Sequence, residues 1–177
     1  MKRSVNYEPL SPLQFLERSA YAFPNKKAII YGDTTYTYAQ FKDRVRRLAT
    51  ALKKRGIGKD DKVAFLCPNI PPTLEAHQGV PLLSAVLVTI NIRLSPQEIS
   101  YILQDSGSKI LFIDSELAPS IEPIMDEIKG IEIVNVCDVQ GKAFDGPDYE
   151  EFLDVEPESF HFGVDDELQP ITINYTS

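Results

Sequence analysis

The sequence contains few of the residues from which metal centres, disulfide frameworks and common hydrolase sites are built. Among its 177 residues there are two cysteines, two histidines and no tryptophan. Cys67 and Cys137 lie far apart in apolar, strand-like runs without CxxC or metal-ligand spacing, which predicts small buried residues in a reducing compartment. His77 and His161 belong to no HExxH motif or histidine cluster, and no GxSxG sequence occurs. The sequence therefore gives no support to a metalloprotease or a serine hydrolase.

Net positive charge and a long apolar run are also missing. The formal net charge is -8 and the pI is about 4.8. Because an acidic chain is repelled by a phosphate backbone, we expect no nucleic-acid partner. The longest apolar stretch, residues 79–90, is interrupted by Pro81 and Ser84 and is too short to span a bilayer. No apolar signal core follows the first four residues, so we expect no membrane span and residence in the cytoplasm.

The charges that are present are unevenly distributed. Residues 1–60 carry 13 Lys and Arg against 5 Asp and Glu, whereas residues 61–177 carry 5 against 21. The basic residues of one predicted helix are Arg44, Arg46, Arg47, Lys53, Lys54 and Arg55. We expect them to form a solvated helix face, with cations near the end that the helix dipole favours. The acidic pairs at 60–61, 150–151 and 165–167 lack metal-ligand spacing, so no metal site is predicted.

Residues 1–60 are predicted to form lead-in helices and a hairpin. Ser11 suits the N-terminal cap of a first helix. A turn at residues 32–33 separates two short β-rich runs, as in a hairpin. Thr37 and Gln40 then fit a capping box at the start of a long amphipathic helix.

Residues 61–140 alternate between apolar strand-like runs and helical patterns. Strands are predicted at 63–67, 85–90, 109–113 and 131–136, and helices at 71–83, 96–106 and 119–129. The second helix begins with a capping box at Ser95 and Glu98. This alternation predicts an α/β fold, with a doubly wound, largely parallel sheet flanked by helices.

Residues 141–169 read as an acidic, mostly irregular link with one short predicted helix at 149–153. Residues 170–177 return to a β-rich pattern and predict a final strand. That strand either adds to the first sheet or begins a second one. The sequence alone leaves this choice open.

The end of the final strand carries a recognisable motif. Residues 173–177, Ile-Asn-Tyr-Thr-Ser, resemble the opening half of the phosphate-loop signature of the AMP-forming acyl-CoA synthetases, whose motif continues Gly-Thr-Thr-Gly-x-Pro-Lys. Segments 68–72, 75–81, 91–95 and 106–114 resemble the acyl-activating and fatty acid–CoA ligase branch of this adenylate-forming superfamily, in the same order and spacing. The resemblance therefore covers nearly the whole chain.

This resemblance implies an incomplete N-terminal portion of the large domain of an adenylate-forming enzyme. The parent enzyme would convert a fatty or aromatic carboxylic acid, ATP and coenzyme A, with Mg²⁺, to acyl-CoA, AMP and pyrophosphate. Thr176 and Ser177 match the first hydroxyl positions of the loop that wraps the ATP phosphates, and His77 is expected near the acyl pocket. No catalytic residue is expected in the chain, since the loop glycines, the loop lysine and the C-terminal lid are absent from it. We therefore expect the chain alone to be inactive and to bind no cofactor tightly.

Two other functions stay open at this point. A self-contained, Rossmann-like nucleotide-binding protein would need a glycine-rich or hydroxyl-rich loop after the strand at 63–67. Residues 68–72 instead contain three prolines, which remove backbone donors. A non-catalytic module could interact through its acidic C-terminal half. A complete domain should cover its apolar faces, whereas a fragment should expose an apolar patch where the missing C-terminal part docks, which would also permit self-association.

Overall fold

A computed structural model describes residues 9–139, 141–164 and 166–176. Its elements are α1 (Leu13–Ala22), β1 (Lys27–Tyr31), β2 (Thr34–Thr37), α2 (Tyr38–Lys54), β3 (Lys62–Leu66), α3 (Pro71–Gly79), β4 (Val86–Thr89), α4 (Pro96–Ser106), β5 (Ser108–Asp114), β6 (Glu132–Val136), α5 (Tyr149–Leu153) and β7 (Thr172–Asn174). Ser177, one of the two predicted phosphate-loop residues, lies outside the described residues. In the part of the chain that is described, no helix is long and apolar enough to cross a membrane.

In the described part of the chain, capping boxes start three of the helices. At α2, the Thr37 hydroxyl accepts from the Gln40 N–H at 3.3 Å, and the Gln40 side chain accepts from the Thr37 N–H at 2.8 Å. Ser95 and Glu98 make the same reciprocal pair at α4, as predicted. A third box, with Asp148 as the cap, starts α5 and was not predicted. Each box satisfies N–H groups that have no partner within the first turn of a helix.

The helix predicted at residues 71–83 is shorter than expected. It ends at Gly79, and residues 81–83 form a 3₁₀ turn. Pro81 is the reason, because proline has no N–H with which to continue the α-helical ladder.

The helix predicted at residues 119–129 is not an α-helix, and that prediction was wrong. The chain forms two 3₁₀ turns instead, at Ser115–Ser120 and Glu122–Ile124. Pro119 and Pro123 each remove a donor and disfavour α-helical geometry in the residue before them. The segment still packs on the sheet, because its isoleucines are buried.

The parallel sheet that the alternation predicts is confirmed. Within the described residues it has five strands in the order β6-β5-β3-β4-β7, and every neighbouring pair is parallel. β7 pairs with β4, with Asn174 opposite Thr89, so the final strand adds to the first sheet. β1 and β2 form the separate antiparallel hairpin that was predicted.

Helical layers cover both faces of the sheet. Phe65 points to the face on which α2, α3 and α5 pack, and its ring stacks on that of Phe112 with centroids 4.4 Å apart. The adjacent residues Ala64 and Leu66 point to the opposite face, which packs against α4 and the 3₁₀ segment after β5. The fold is therefore a doubly wound α/β sheet, in agreement with the sequence prediction.

Candidate functional site

The carboxyl ends of β3, β4 and β7 open into a cavity of about 640 Å³. Ligands of open parallel sheets bind beyond the carboxyl ends of the strands, which makes this cavity the first candidate for a site. Its polar lining comes from the loop after β3, one side of α3, the loop after β4 and the end of β7. We call it the carboxyl-edge cavity, and its main polar residues are Asn69, Thr73, His77, Asn91, Arg93 and Asn174.

Arg93 is the only Lys, Arg, Asp or Glu among the described residues that line the carboxyl-edge cavity. The backbone N–H of Arg93 donates to Asn91 Oδ1 at 3.0 Å, which fixes the turn after β4. Within the described ranges, its guanidinium makes no ion pair. An unpaired cation at a cavity mouth attracts anions. Sequence reasoning used residues 91–95 only for their resemblance and missed this charge, although a single cation directly after a predicted strand was the available signal.

His77 lines the same cavity from α3. Its side chain is exposed, and Nδ1 lies 2.8 Å from the carbonyl oxygen of Thr73. Since a carbonyl oxygen only accepts, Nδ1 donates in this contact. His77 therefore lies at the candidate site, while its predicted place beside an acyl pocket stays a prediction.

Two side-chain hydrogen bonds hold the end of β7, one to β4 and one to α4. Thr89 Oγ1 donates to Asn174 Oδ1 at 2.6 Å. The Tyr175 hydroxyl donates to Asp105 Oδ2 at 2.7 Å, and its ring meets that of Tyr101 edge-on. Burial and this hydrogen bond raise the pKa of Tyr175 to about 12.

Thr176 follows directly and lines a neighbouring cavity of about 350 Å³. This cavity lies beside α4, and Tyr101 and Tyr175 form part of its wall. Thr176 therefore lies at the carboxyl edge of the sheet. A contact with phosphate remains a prediction.

The other half of the carboxyl edge, at β5 and β6, is acidic. Asp114 ends β5 with 1% of its surface exposed, and its Oδ2 is buried without a hydrogen-bond partner. Burial raises the pKa of Asp114, against the opposing effect of the Glu116 N–H that donates to Oδ1. Asp138 follows β6 and accepts from the Tyr31 hydroxyl at 2.6 Å. A phosphate would be repelled here, which disfavours a Rossmann-like site between β3 and β5, where the chain order reverses.

The two cysteines differ from each other. Cys67 is partly buried, its thiol donates to the Phe112 carbonyl oxygen at 3.8 Å, and burial raises the pKa of the thiol. Cys137 is exposed, so the prediction that both cysteines are buried was wrong for Cys137. The reason is its position immediately after β6, an outer strand of the sheet, where the chain leaves the core.

The basic face of α2 was predicted to be solvated, and that prediction was wrong for its arginines. Arg44 Nε lies 2.6 Å from Oε1 of the fully buried Glu75, and the Tyr149 hydroxyl donates to Oε2 of the same carboxylate at 2.7 Å. The guanidinium also makes two hydrogen bonds to Glu150. Arg47 donates to the carbonyl oxygen of Val155 at 2.8 Å. These partners lie in or before the acidic link, too far along the chain for local patterns to reveal them.

Known proteins match this chain over most of its length. Residues 16–177 match the family model described as AMP-binding enzyme. Probable acyl-activating enzyme 21 of Arabidopsis thaliana is 36% identical over 182 residues, which cover 100% of this chain and 33% of that protein. Butyrate–CoA ligase AAE11, peroxisomal, of the same plant is 38% identical, over 98% of this chain and 33% of that protein.

A solved structure has the same fold. The crystal structure of the anthranilate CoA ligase AuaEII in complex with anthranoyl-AMP matches with a TM-score of 0.83 at 25% identity. The match covers 100% of this chain and 34% of that chain. The chain thus spans about a third of the length of the curated relatives that it matches.

Proposed function

The chain belongs to the AMP-binding enzyme family, and on this premise we propose that it is the N-terminal third of an ATP-dependent acyl-CoA synthetase. In the complete enzyme, a carboxylate oxygen of the acid attacks the α-phosphorus of ATP and displaces pyrophosphate, which gives an acyl-adenylate. The thiol of coenzyme A then attacks the acyl carbonyl carbon and displaces AMP. A relative named for butyrate and a neighbour named for anthranilate support a small aliphatic or aromatic acid as the substrate.

The position of the end of β7 is the observation that carries this proposal. Tyr175 and Asn174 are held by hydrogen bonds, and Thr176 follows them at the carboxyl edge of a parallel sheet. A turn at this place directs backbone N–H groups and hydroxyls toward phosphate oxygens. We assign that role to Thr176 and Ser177, whose hydroxyls would donate to the phosphates of ATP.

The chemistry of adenylation is assigned to residues outside this chain. In the described ranges, no group of three or more His, Cys, Asp or Glu side chains is arranged to hold a metal ion. We propose that Mg²⁺ reaches the site bound to the ATP phosphates. What this chain contributes is the rigid sheet that positions the phosphate loop, and positioning is a large part of catalysis in phosphoryl transfer.

The missing part of the enzyme is the proposed protein partner. Several large apolar side chains on and around α1 are exposed, including Phe15 at 61%, Tyr21 at 89% and Phe23 at 58%. Exposed apolar surface of this kind suits an interface with another body. Two copies of the isolated chain would associate through the same surface when that body is absent. A sedimentation-velocity series at increasing concentration tests this, and a monomer at all concentrations would contradict it.

We also propose residence in the cytoplasm, where both cysteines stay reduced. The relative named as peroxisomal provides the competing location. Microscopy of the full-length protein, tagged at an internal surface loop, separates the two.

An assay of pyrophosphate exchange tests the proposed reaction. The 177-residue chain should neither exchange labelled pyrophosphate into ATP nor bind ATP with micromolar affinity, which corresponds to about -8 kcal/mol. The product of the reading frame continued past codon 177 should exchange pyrophosphate only when a carboxylic acid such as butyrate or benzoate is added. Thr176→Ala in that longer product should slow exchange, because a phosphate donor is lost.

Two results would count against the proposal. One is micromolar ATP binding by the 177-residue chain, which would indicate a nucleotide site complete in itself. The other is a longer product that consumes ATP equally well without any acid. A continuation that lacks a Gly-Thr-Thr-Gly-like motif would remove the phosphate loop on which the proposal depends.

A further inference from the structure

Asp105 lies in the last turn of α4, where the helix itself does not favour an acid. The C-terminal end of a helix carries partial negative charge, so it favours nearby cations and disfavours carboxylates. The last turn of α2 contains Lys53 and Lys54, whereas the last turn of α4 contains no basic residue. Asp105 also makes no ion pair with any residue that the structure describes. Helix stability therefore does not explain the carboxylate at this position.

The side-chain contact of Asp105 is with the last strand. Its Oδ2 accepts from the Tyr175 hydroxyl at 2.7 Å, although the two residues are 70 positions apart in the sequence. The Tyr175 ring also meets the Tyr101 ring edge-on, with centroids 6.5 Å apart. Since both Asp105 and Tyr101 belong to α4, these contacts join the end of β7 to that helix.

The helix α4 is a firm support for this hydrogen bond. Its first turn is closed by the capping box at Ser95 and Glu98, and its apolar side is buried against the sheet. Interiors packed in this way allow little displacement of one element against another. The Asp105 carboxylate therefore has a defined position relative to β4 and β7.

Two hydrogen bonds hold consecutive residues of β7 on opposite faces of the sheet. Side chains of neighbouring residues in a strand point to opposite faces. Tyr175 reaches α4 on one face, whereas Asn174 Oδ1 accepts from the Thr89 hydroxyl on the other. One such bond would still allow the strand end to rotate about its own axis, but the two together oppose this rotation. The next residue is Thr176.

We propose that Asp105 is a positioning residue for the phosphate loop. It acts through Tyr175, and with Thr89 on the other face it fixes the direction in which the chain leaves β7. A loop that is already oriented loses less conformational entropy when it binds ATP. The part of the inference that concerns ATP rests on the function proposed above, whereas the part that concerns the strand end does not.

Amide hydrogen exchange in the 177-residue chain tests how the strand end is held. Asp105→Ala and Tyr175→Phe each remove the hydrogen bond, so each should make exchange at residues 172–175 several-fold faster, while amides in β3 and β5 keep their rates. Asp105→Asn keeps an oxygen that can accept from the hydroxyl and should exchange as slowly as the wild type. Asp126→Ala is the matched control, because its carboxylate pairs with the exposed Lys129. Unchanged exchange at residues 172–175 in both Asp105→Ala and Tyr175→Phe would overturn the inference.

Pyrophosphate exchange by the product of the reading frame continued past codon 177 tests the positioning of the loop. Asp105→Ala should raise the KM for ATP about three- to tenfold and change kcat by less than about twofold, because the loop binds phosphates in the ground state and the transition state alike. A purely structural role would lower the amount of folded enzyme, and hence the apparent kcat, without changing KM.

A double-mutant cycle shows whether the two side chains act as one unit. Tyr175→Phe should raise the KM for ATP as much as Asp105→Ala does, and the double variant should be no worse than either single variant. Asp105→Asn should restore a KM close to that of the wild type. Additive increases in KM would contradict the inference, because the carboxylate would then act without the tyrosine.

The two assays separate this inference from the proposed function. Pyrophosphate exchange by the wild type with an unchanged KM in Asp105→Ala would overturn the role of Asp105 and leave the proposed function standing. A wild type that exchanges no pyrophosphate with any acid would contradict the proposed function and, with it, the role of Asp105 toward ATP. Faster amide exchange in Asp105→Ala would in that case still support its hold on the end of β7.

Discussion

The helix packing around α2 and the carboxyl edge of the sheet use arginine in opposite ways. In the helix packing, Arg44 is paired with the fully buried Glu75 and with Glu150, so its charge is neutralised within the fold. At the carboxyl edge, Arg93 makes no ion pair with any described residue. The difference indicates that the first arginine connects three helices, whereas the second remains available to a ligand.

The uneven charge along the sequence explains how this contrast arises. The basic first third of the chain contacts the region around α5, where Arg44 pairs with Glu150 and Lys53 pairs with Glu158. Arg47 donates there to the carbonyl oxygen of Val155. Those contacts leave few unpaired cations near the sheet. Residues 61–177 carry 5 basic and 21 acidic residues, so Arg93 is one of few cations there that can attract an anion.

The largest effect is expected when the buried ion pair is broken. Glu75→Ala leaves Arg44 without its buried partner and the buried Tyr149 hydroxyl without its acceptor, and it should lower the free energy of unfolding by about 3–5 kcal/mol. Urea unfolding followed by circular dichroism measures this change. Glu158→Ala is the matched control, because its pair with Lys53 is solvent-exposed and should contribute at most about 1 kcal/mol. Equal losses of unfolding free energy in the two variants would show that the buried pair of Glu75 stabilises the fold no more than the exposed pair of Glu158.

A smaller loss is expected when only the tyrosine of the network is changed. Tyr149→Phe removes the hydroxyl that donates to Glu75 and should cost about 1–3 kcal/mol at pH 7. Burial, together with Glu75, raises the pKa of Tyr149 well above its ordinary value. The folded state therefore holds this proton more tightly than the unfolded state, and the stability gained is lost as the pH rises above about 10.

The variant Tyr149→Phe should thus lose less stability than the wild type between neutral and strongly alkaline pH. Tyr31→Phe is the control, because the Tyr31 hydroxyl bonds an exposed aspartate. It should change the free energy of unfolding by less than about 1 kcal/mol. Similar losses of unfolding free energy for Tyr149→Phe and Tyr31→Phe at pH 7 would show that the buried hydrogen bond to Glu75 stabilises the fold no more than the exposed one to Asp138.

Short-range patterns were sufficient for most of the fold. Capping boxes at Thr37 and Ser95 and the alternation of strands with helices predicted the parallel sheet, because these signals act within a few residues. The helix expected at 119–129 failed because two prolines outweighed its apolar spacing. The position of β7 had to be left open, since strand pairing over 85 residues between Thr89 and Asn174 has no local signal.

The candidate site was predictable only in part. Thr176 was predicted from a motif and lies at the carboxyl edge, while its role in phosphate binding stays a prediction. Arg93 and the carboxyl-edge cavity were missed, because three segments that are distant in sequence form the cavity only after the sheet assembles. Pairing of Arg44 with Glu75 was also missed, since a basic helix face has the same sequence pattern whether its partners are water or carboxylates.

A substitution in the acidic half of the carboxyl edge, at β5 and β6, is expected to raise the free energy of unfolding rather than lower it. Asp114→Asn should raise the free energy of unfolding by about 1 kcal/mol at pH 7, because Oδ2 is buried without a partner while Asn can still accept from the Glu116 N–H. Burial raises the pKa of Asp114, so its ionisation destabilises the fold above the ordinary pKa of about 4 and not below it. The gain should therefore shrink between pH 7 and pH 4 in urea unfolding.

Asp138→Asn is the control for this pair of measurements. Its side chain is exposed, and an amide oxygen can still accept from the Tyr31 hydroxyl. Its stability should differ little from that of the wild type at either pH. A loss of stability in Asp114→Asn at pH 7 would indicate that the carboxylate has a cationic partner, and the contrast between the two halves of the edge would fail.

The smallest effect on stability is expected in the half of the carboxyl edge that is formed by β4 and β7. Thr89→Val keeps the β-branched shape but removes the hydroxyl that donates to Asn174 at 2.6 Å. Amide hydrogen exchange at residues 172–174 should therefore become several-fold faster. The global free energy of unfolding should fall by less than about 1 kcal/mol. Thr172→Val, also in β7, removes a hydroxyl for which no hydrogen bond is seen in the described ranges and should leave exchange unchanged. Equal exchange in Thr89→Val and the wild type would mean that backbone pairing alone holds the strand that leads to Thr176.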